Sequence, residues 1–200
     1  FPYTTLFRSP LRDRYADSGV HVLRMNEGVE GGFGVALKGG HNAEHHNHND
    51  VGSYVVAVGD RPVLVDPGAE VYTARTFSRD RYESKLLNSY EHPVPVVDGH
   101  LQRKGAKARG RVADARFGAG RDELRLDLAS AYAVPALRKL ERVFRFERAD
   151  RGSLVVEDRV EWDAPGTFET ALVTLGDWFE EKPGVLLIHD GDAIVRVRID

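Results

Sequence analysis

GGHNAEHHNHNDVGSYVVAVGDRPVLVD, residues 39–66, sets a dense run of histidines directly against an apolar hairpin. The hairpin half decides the fold class. Residues 54–58 and 61–65 are β-branched, apolar runs joined by Gly59 and Asp60, a pair suited to a two-residue β-turn. Both arms are apolar nearly throughout, which predicts burial on both faces. The other half points to chemistry: four of the eight histidines, His41, His45, His46 and His48, fall within eight residues and lead to Asp50. Imidazoles at this density are too polar for an ordinary core.

Outward from the hairpin, the chain reads as short strands separated by turns. Residues 20–23 and 33–37 are apolar runs split by a turn-prone segment with Asn26, Gly28, Gly31 and Gly32, and Gly39 and Gly40 let the backbone bend before the histidines. Strand signals resume at 94–97, with a turn at Asp98 and Gly99, and at 108–117; Leu124, Leu126 and Leu128 alternate with charge. The pattern repeats at 140–147, 154–162, 168–175, 185–189 and 193–199. Many strands with almost no helical periodicity predict an all-β fold, a large antiparallel β-sandwich. Residues 67–92 interrupt the pattern. Only 82–88 could form a short helix there, and a loop of that length inside a compact domain is usually functional.

The expected organisation is one β domain over residues 10–200. Residues 1–9, FPYTTLFRS, match the translation of a sequencing-library adapter and are set aside from fold reasoning. The far end stops in an alternating strand pattern, which reads as a truncation. Composition is ordinary for a globular protein, with 42% hydrophobic and 30% charged residues. A net charge of -3 gives no argument for nucleic acid or an acidic membrane as partner, and no run approaches the roughly 20 apolar residues of a membrane helix. With no cysteine, any metal must be held by His, Asp or Glu, a donor set that suits zinc or a harder divalent ion.

If residues 46–50 are extended, His46, His48 and Asp50 share a face, a metal or acid/base arrangement. Asp66 ends a buried strand before Pro67 and Gly68, where a ligand role competes with capping of the turn. For His48 and Asp66 to meet, the chain must turn back near residues 50–52, and Gly52 allows this. His92 or His100 could complete a three-ligand set. Tyr72, Tyr82 and Tyr90 lie in the long loop, where a phenol can donate or accept a proton or can simply pack.

HNHNDVGSY, LVDPG, YTARTFSRDRY and NSYEHPVPVVDGHLQ, in this order and spacing, resemble the C-terminal β domain of the heparinase II/III-like polysaccharide lyases. The resemblance runs from about residue 20 to residue 107, and more weakly beyond. It implies a metal, usually zinc and here structural, held by His48, Asp66 and His92. It implies that His46 and Tyr82 are catalytic groups bordering the cleavage point, with Asn47, Tyr72 and Arg81 binding substrate. Glu91 and Pro93 flank His92 where the family commonly has tyrosine and asparagine. The implied reaction is β-elimination on a uronate-containing acidic polysaccharide of the heparin, heparan sulfate or alginate type, in the periplasm of a bacterium or outside it. Much of that machinery belongs to an N-terminal helical toroid absent from this sequence, so the chain by itself is expected to be inactive. A cupin-like metal enzyme and a non-catalytic carbohydrate-binding β-sandwich are the alternatives. The first wants a glutamate shortly after HxH, where this chain reads VGSYVVAV; the second wants exposed aromatic residues, whereas Trp162 and Trp178 read as packing.

Overall fold

The computed structural model describes residues 10–28, 32–68 and 70–200; the adapter-like segment and Gly31 of the predicted turn lie outside them. Strands β1 (Arg12–Tyr15), β2 (Val20–Arg24), β3 (Phe33–Lys38), β5 (Tyr54–Val58) and β6 (Arg61–Leu64) form an antiparallel sheet in the order β1-β2-β3-β5-β6. A second sheet has the order β11-β10-β9-β8-β4, with β4 at Gly40–Asn42, β8 at Gly105–Phe117, β9 at Arg121–Asp127, β10 at Leu137–Glu147 and β11 at Ser153–Trp162. The sheets pack face to face because each strand sends alternate apolar residues inward. Val35 and Leu37 of β3 meet Leu124 and Leu126 of β9 and Leu140, Phe144 and Phe146 of β10 in one core. Phe33 stacks on Phe146 with ring centroids 5.7 Å apart, and Tyr54 meets Phe144 edge-on at 6.0 Å. Each such side chain, fully buried, contributes about 1.5–3 kcal/mol of transfer free energy. The predicted β-sandwich is the observed fold.

The hairpin forms with Gly59 and Asp60 as its turn, but it is not buried on both faces. β6 is the sheet edge, Arg61 and Pro62 are exposed, and an edge is where a strand tolerates a proline. A small sheet of β13 (Asp177–Lys182), β14 (Val185–Asp190) and β15 (Ala193–Arg198) adds Ile188 and Ala193 to the core. Trp162 packs against that core as expected, whereas Trp178 is 62% exposed on β13. The strands at 94–97 and 168–175 shrink to a two-stranded patch of β7 (Val96–Val97) and β12 (Phe168–Glu169). Residues 82–88, the one stretch of the long loop that could have formed a short helix, make only a 3-10 turn at Arg81–Glu83, followed by further turns.

Candidate functional site

The histidine segment is a loop rather than a strand. β4 lies at the edge of the second sheet, and the chain then turns through residues 43–53 before entering β5. Asn42 holds both ends of this loop. Its Oδ1 accepts the Asp50 N–H at 3.2 Å, while its Nδ2 donates to Gln102 Oε1 and to the Arg103 carbonyl, both at 2.9 Å. Gln102 Nε2 in turn donates to the Val51 carbonyl. The reversal expected near Gly52 is present: Gly52 has φ +90° and donates its N–H to the Lys38 carbonyl. Because the segment turns, His46, His48 and Asp50 do not line one face. His46 sits in the left-handed region at φ 57° with an exposed side chain, while His48 and Asp50 are turned inward.

A buried arginine fixes this loop against the long one. Arg142 Nη1 donates to the carbonyls of Gly52 at 2.9 Å and Pro93 at 2.7 Å, while its Nε and Nη2 bind both Asp158 oxygens. One guanidinium thereby spans the residues that follow Asp50 and His92. Its fork geometry suits this; a lysine offers no equivalent pair of directions.

Between the loops lies the cluster of Asp50, Asp66 and His92, whose ligand atoms all fall within 4.8 Å of one another. Asp66 Oδ1 is 2.5 Å from His92 Nδ1, and His92 Nε2 is 3.1 Å from the Leu86 carbonyl. If Nε2 donates to that carbonyl, a neutral ring directs a bare Nδ1 lone pair at a carboxylate, so a proton or a cation must lie between them. Burial alone would lower the His92 pKa, but the Asp66 carboxylate overrides it and holds the pKa above its ordinary value. Asp66 Oδ2 and Asp50 Oδ1 are buried without hydrogen-bond partners, and Lys38 Nζ stands 3.7 Å from the latter. Burial pushes the Asp50 carboxyl up to about 7 despite Lys38. His48 lies beside the cluster, its ring 5.2 Å from that of His92, and burial followed by the His92 charge brings it down to about 4, leaving a neutral imidazole. Asp50, Asp66 and His92, two carboxylates and one imidazole, are a donor set that fits zinc or another divalent cation; His48, expected from the resemblance as a ligand, lies beside this group rather than within it, and Asp50 stands in its place.

A second layer faces solvent. Tyr82 OH donates to Asn47 Oδ1 at 3.2 Å, and Arg81 donates to the carbonyls of Asn47 at 2.8 Å and Thr76 at 2.9 Å. Tyr72 stacks on His46 with centroids 6.1 Å apart, its hydroxyl 3.4 Å from His46 Nδ1. The long loop keeps its shape through Glu70, which accepts from Ser84 Oγ at 2.6 Å and from Arg75 and Thr76. The Ser84 hydrogen bond, with Arg75 beside it, holds the Glu70 carboxyl below its usual value.

The residues singled out in the sequence, His46, Asn47, His48, Asp66, Tyr72, Arg81, Tyr82 and His92, therefore gather in two adjoining layers. His100 and Tyr90 do not join them: both are exposed, His100 against the Asp98 carbonyl and Tyr90 beneath Lys85. Arg142 was missed, although an arginine on the inward face of Leu140, Phe144 and Phe146 was a readable signal of a buried ion pair. Glu70, Asn42 and Gln102 carried no such signal.

The family model for the heparinase II/III-like C-terminal domain matches residues 8–195. No protein of curated function matches the sequence. Among solved structures, the heparan sulfate lyase HepC from Pedobacter heparinus superposes with TM-score 0.70 at 17% identity, over 90% of this chain and 28% of that one. A mutant of the same lyase gives TM-score 0.69 at 17% identity, over 92% of this chain and 30% of that one. A heparinase III with methylated lysines gives 0.68 at 14%, over 91% and 27%. The chain spans less than a third of the length of these structures, and at such identities the likeness establishes the fold.

Proposed function

Because the chain belongs to the heparinase II/III-like C-terminal family, we propose that it is the β-sandwich part of a polysaccharide lyase that cleaves a uronate-containing acidic glycan by β-elimination. The observation that carries this reading is the Tyr82 phenol, set between Asn47 and two cations. The guanidinium of Arg81 lies 5.8 Å and the ammonium of Lys104 6.0 Å from the Tyr82 ring centre. β-Elimination needs the sugar carboxylate neutralised so that C5–H becomes acidic, a base to take that proton, and an acid to protonate the departing O4. Arg81 and Lys104 supply positive charge, Asn47 a side-chain amide, and Tyr82 and His46 groups able to carry a proton. Asn47 fixes the phenol, and Tyr72 holds the His46 ring.

The buried cluster would hold a divalent cation through Asp50, Asp66 and His92, with His48 beside them. When bound, the ion would neutralise the paired carboxylates and cross-link the histidine loop to the long loop, a structural role. Among the described residues no helix is long and apolar enough to cross a membrane. The remaining catalytic groups belong to a helical domain of the parent chain, which acts in the periplasm or outside the cell. A cupin-like enzyme is set aside, since the chain belongs to another family and lacks the glutamate after HxH.

The test is product chemistry. The parent chain, incubated with heparan- or alginate-type polysaccharide, should release oligosaccharides ending in an unsaturated uronate, and Tyr82→Phe should lower the rate by about 100-fold or more with the fold intact. Products whose new non-reducing ends are saturated would indicate hydrolysis and sink the proposal.

A further inference from the structure

Charge on the surface of the second sheet is mostly paired. Arg111 meets Asp127 at 2.9 Å, Arg125 meets Asp114 at 2.9 Å, and Arg145 meets Glu123 at 3.1 Å and Glu157 at 2.6 Å. The segment entering β8 departs from this. Residues 102–111 read QRKGAKARGR, with cations at 103, 104, 107, 109 and 111 and no acid. Among the described residues, no carboxylate lies within 4.0 Å of Arg103, Lys104, Lys107 or Arg109, and all four are exposed.

The two arginine side chains are placed by main-chain carbonyls, which orient them without cancelling their charge. Arg103 Nη2 donates to the Ser130 carbonyl at 2.7 Å, and Arg109 Nε to the Ala106 carbonyl at 2.9 Å. The Arg109 N–H donates to Ser130 Oγ at 3.3 Å, so Arg103 and Arg109 bracket one residue. Pairing between β4 and β8 jumps from His41–Arg109 to Asn42–Gly105, so residues 106–108 bulge from the ladder and carry Lys107 outward. Lys104, next to Arg103, stands over the Tyr82 ring. The unpaired charge is therefore continuous with the candidate site.

We infer that Arg103, Lys104, Lys107 and Arg109 form a cationic strip that leaves the Tyr82 site along β8 and holds the flanking sugars of an acidic glycan chain. This rests on the acidic-glycan reading of the site and extends it. The chain as a whole is net negative, so the strip is a local field of opposite sign, and a polyanion bound at Tyr82 with sugars to spare is its complement. Its contribution should fall steeply with salt, since exposed charges are screened over about 8–10 Å at physiological ionic strength.

Titration calorimetry of the 200-residue chain with heparan-type oligosaccharides at low salt tests this. A decasaccharide should bind roughly tenfold or more tightly than a tetrasaccharide that fills the Tyr82 site alone. Lys107→Glu and Arg109→Glu should each remove most of that gain while leaving tetrasaccharide affinity unchanged; Arg151→Glu, an exposed charge in a remote turn, should leave both unchanged. Retention of the full gain in both strip variants overturns the strip while tetrasaccharide binding upholds the site. Failure of the wild type to bind any acidic oligosaccharide, with circular dichroism showing it folded, overturns the site reading and the strip together. Equal binding of single-stranded DNA of matched charge, lost in the same variants, overturns the assignment to glycan.

Discussion

At the scale of single residues, Arg142 is the clearest case of structure made for the site. It is fully buried and paired with Asp158, and its remaining donors go to Thr170 Oγ1 and to the carbonyls of Gly52 and Pro93, which follow Asp50 and His92 in the sequence. Arg142→Met should cost about 3–5 kcal/mol in urea denaturation, because Asp158 is left as an uncompensated charge. Arg142→Lys should keep the fold but lower divalent-metal affinity by about 10–100-fold, as changes to supporting groups around a metal typically do. Equal metal affinity in wild type and Arg142→Lys would show that the arginine serves the core alone. The cluster itself was partly legible: HNH followed by Asp50, the aspartate before Pro67-Gly68, and His92 could all be singled out from residue type and spacing. The arginine's place among Leu140, Phe144 and Phe146 signalled a buried ion pair, but its partner was not legible, because Asp158 lies on a different strand and only the register of β10 against β11 shows that the two face each other.

At the scale of elements, the longer strands were legible because alternation marks them, whereas β1, β4 and β13 were not. RDRY, GHN and DWFEEK carry little apolar periodicity and are strands because neighbouring strands pair with them. The short helix that 82–88 could have formed is absent for a related reason: the tertiary hydrogen bonds of Arg81 and Tyr82 to Asn47, with a local one from Asn88 to the Tyr82 carbonyl, hold that segment in turns. Gly52 is where the loop depends on one backbone conformation. A Cβ there would lie 2.7 Å from Leu128 Cδ1 at φ +90°, so Gly52→Ala should cost about 1–3 kcal/mol, read from the shift of the urea midpoint. Asp122 fastens β1 to the end of β10 through Arg12 at 2.8 Å and Arg148 at 2.5 Å. Burial raises its pKa, but the hydrogen bonds from Arg12 and Arg148 outweigh this and leave it below the usual carboxylate value. Its stabilising contribution is therefore fully present above the unfolded carboxylate pKa of about 4 and is lost as the pH falls through the lower folded value. The stability difference between wild type and Asp122→Asn should shrink on acidification below that range; a constant difference would mean that the ion pairs contribute nothing.

At the scale of the whole molecule, the candidate site lies on an open face of the sandwich. Arg81 and Tyr82, held by Asn47 and the Glu70-braced loop, face solvent beside an unpaired cationic segment. On the proposed reading the isolated chain should release little or no unsaturated uronate, and activity near that of the parent would show that the sandwich needs no further domain. The alternation of apolar residues was enough to predict a sandwich. Which edge carries the cations was not legible, because charge pairing depends on strand neighbours that only the topology reveals. The proposed divalent ion in the buried cluster would reinforce the join between the histidine loop and the long loop, and elemental analysis of the purified 200-residue chain tests this central claim directly. One divalent ion per folded chain is expected, absent from Asp66→Asn and from Asp50→Asn, with hydrogen exchange in residues 67–92 accelerated in both. A well-folded wild type that holds no metal after exposure to zinc, with slow exchange in that loop, would contradict it.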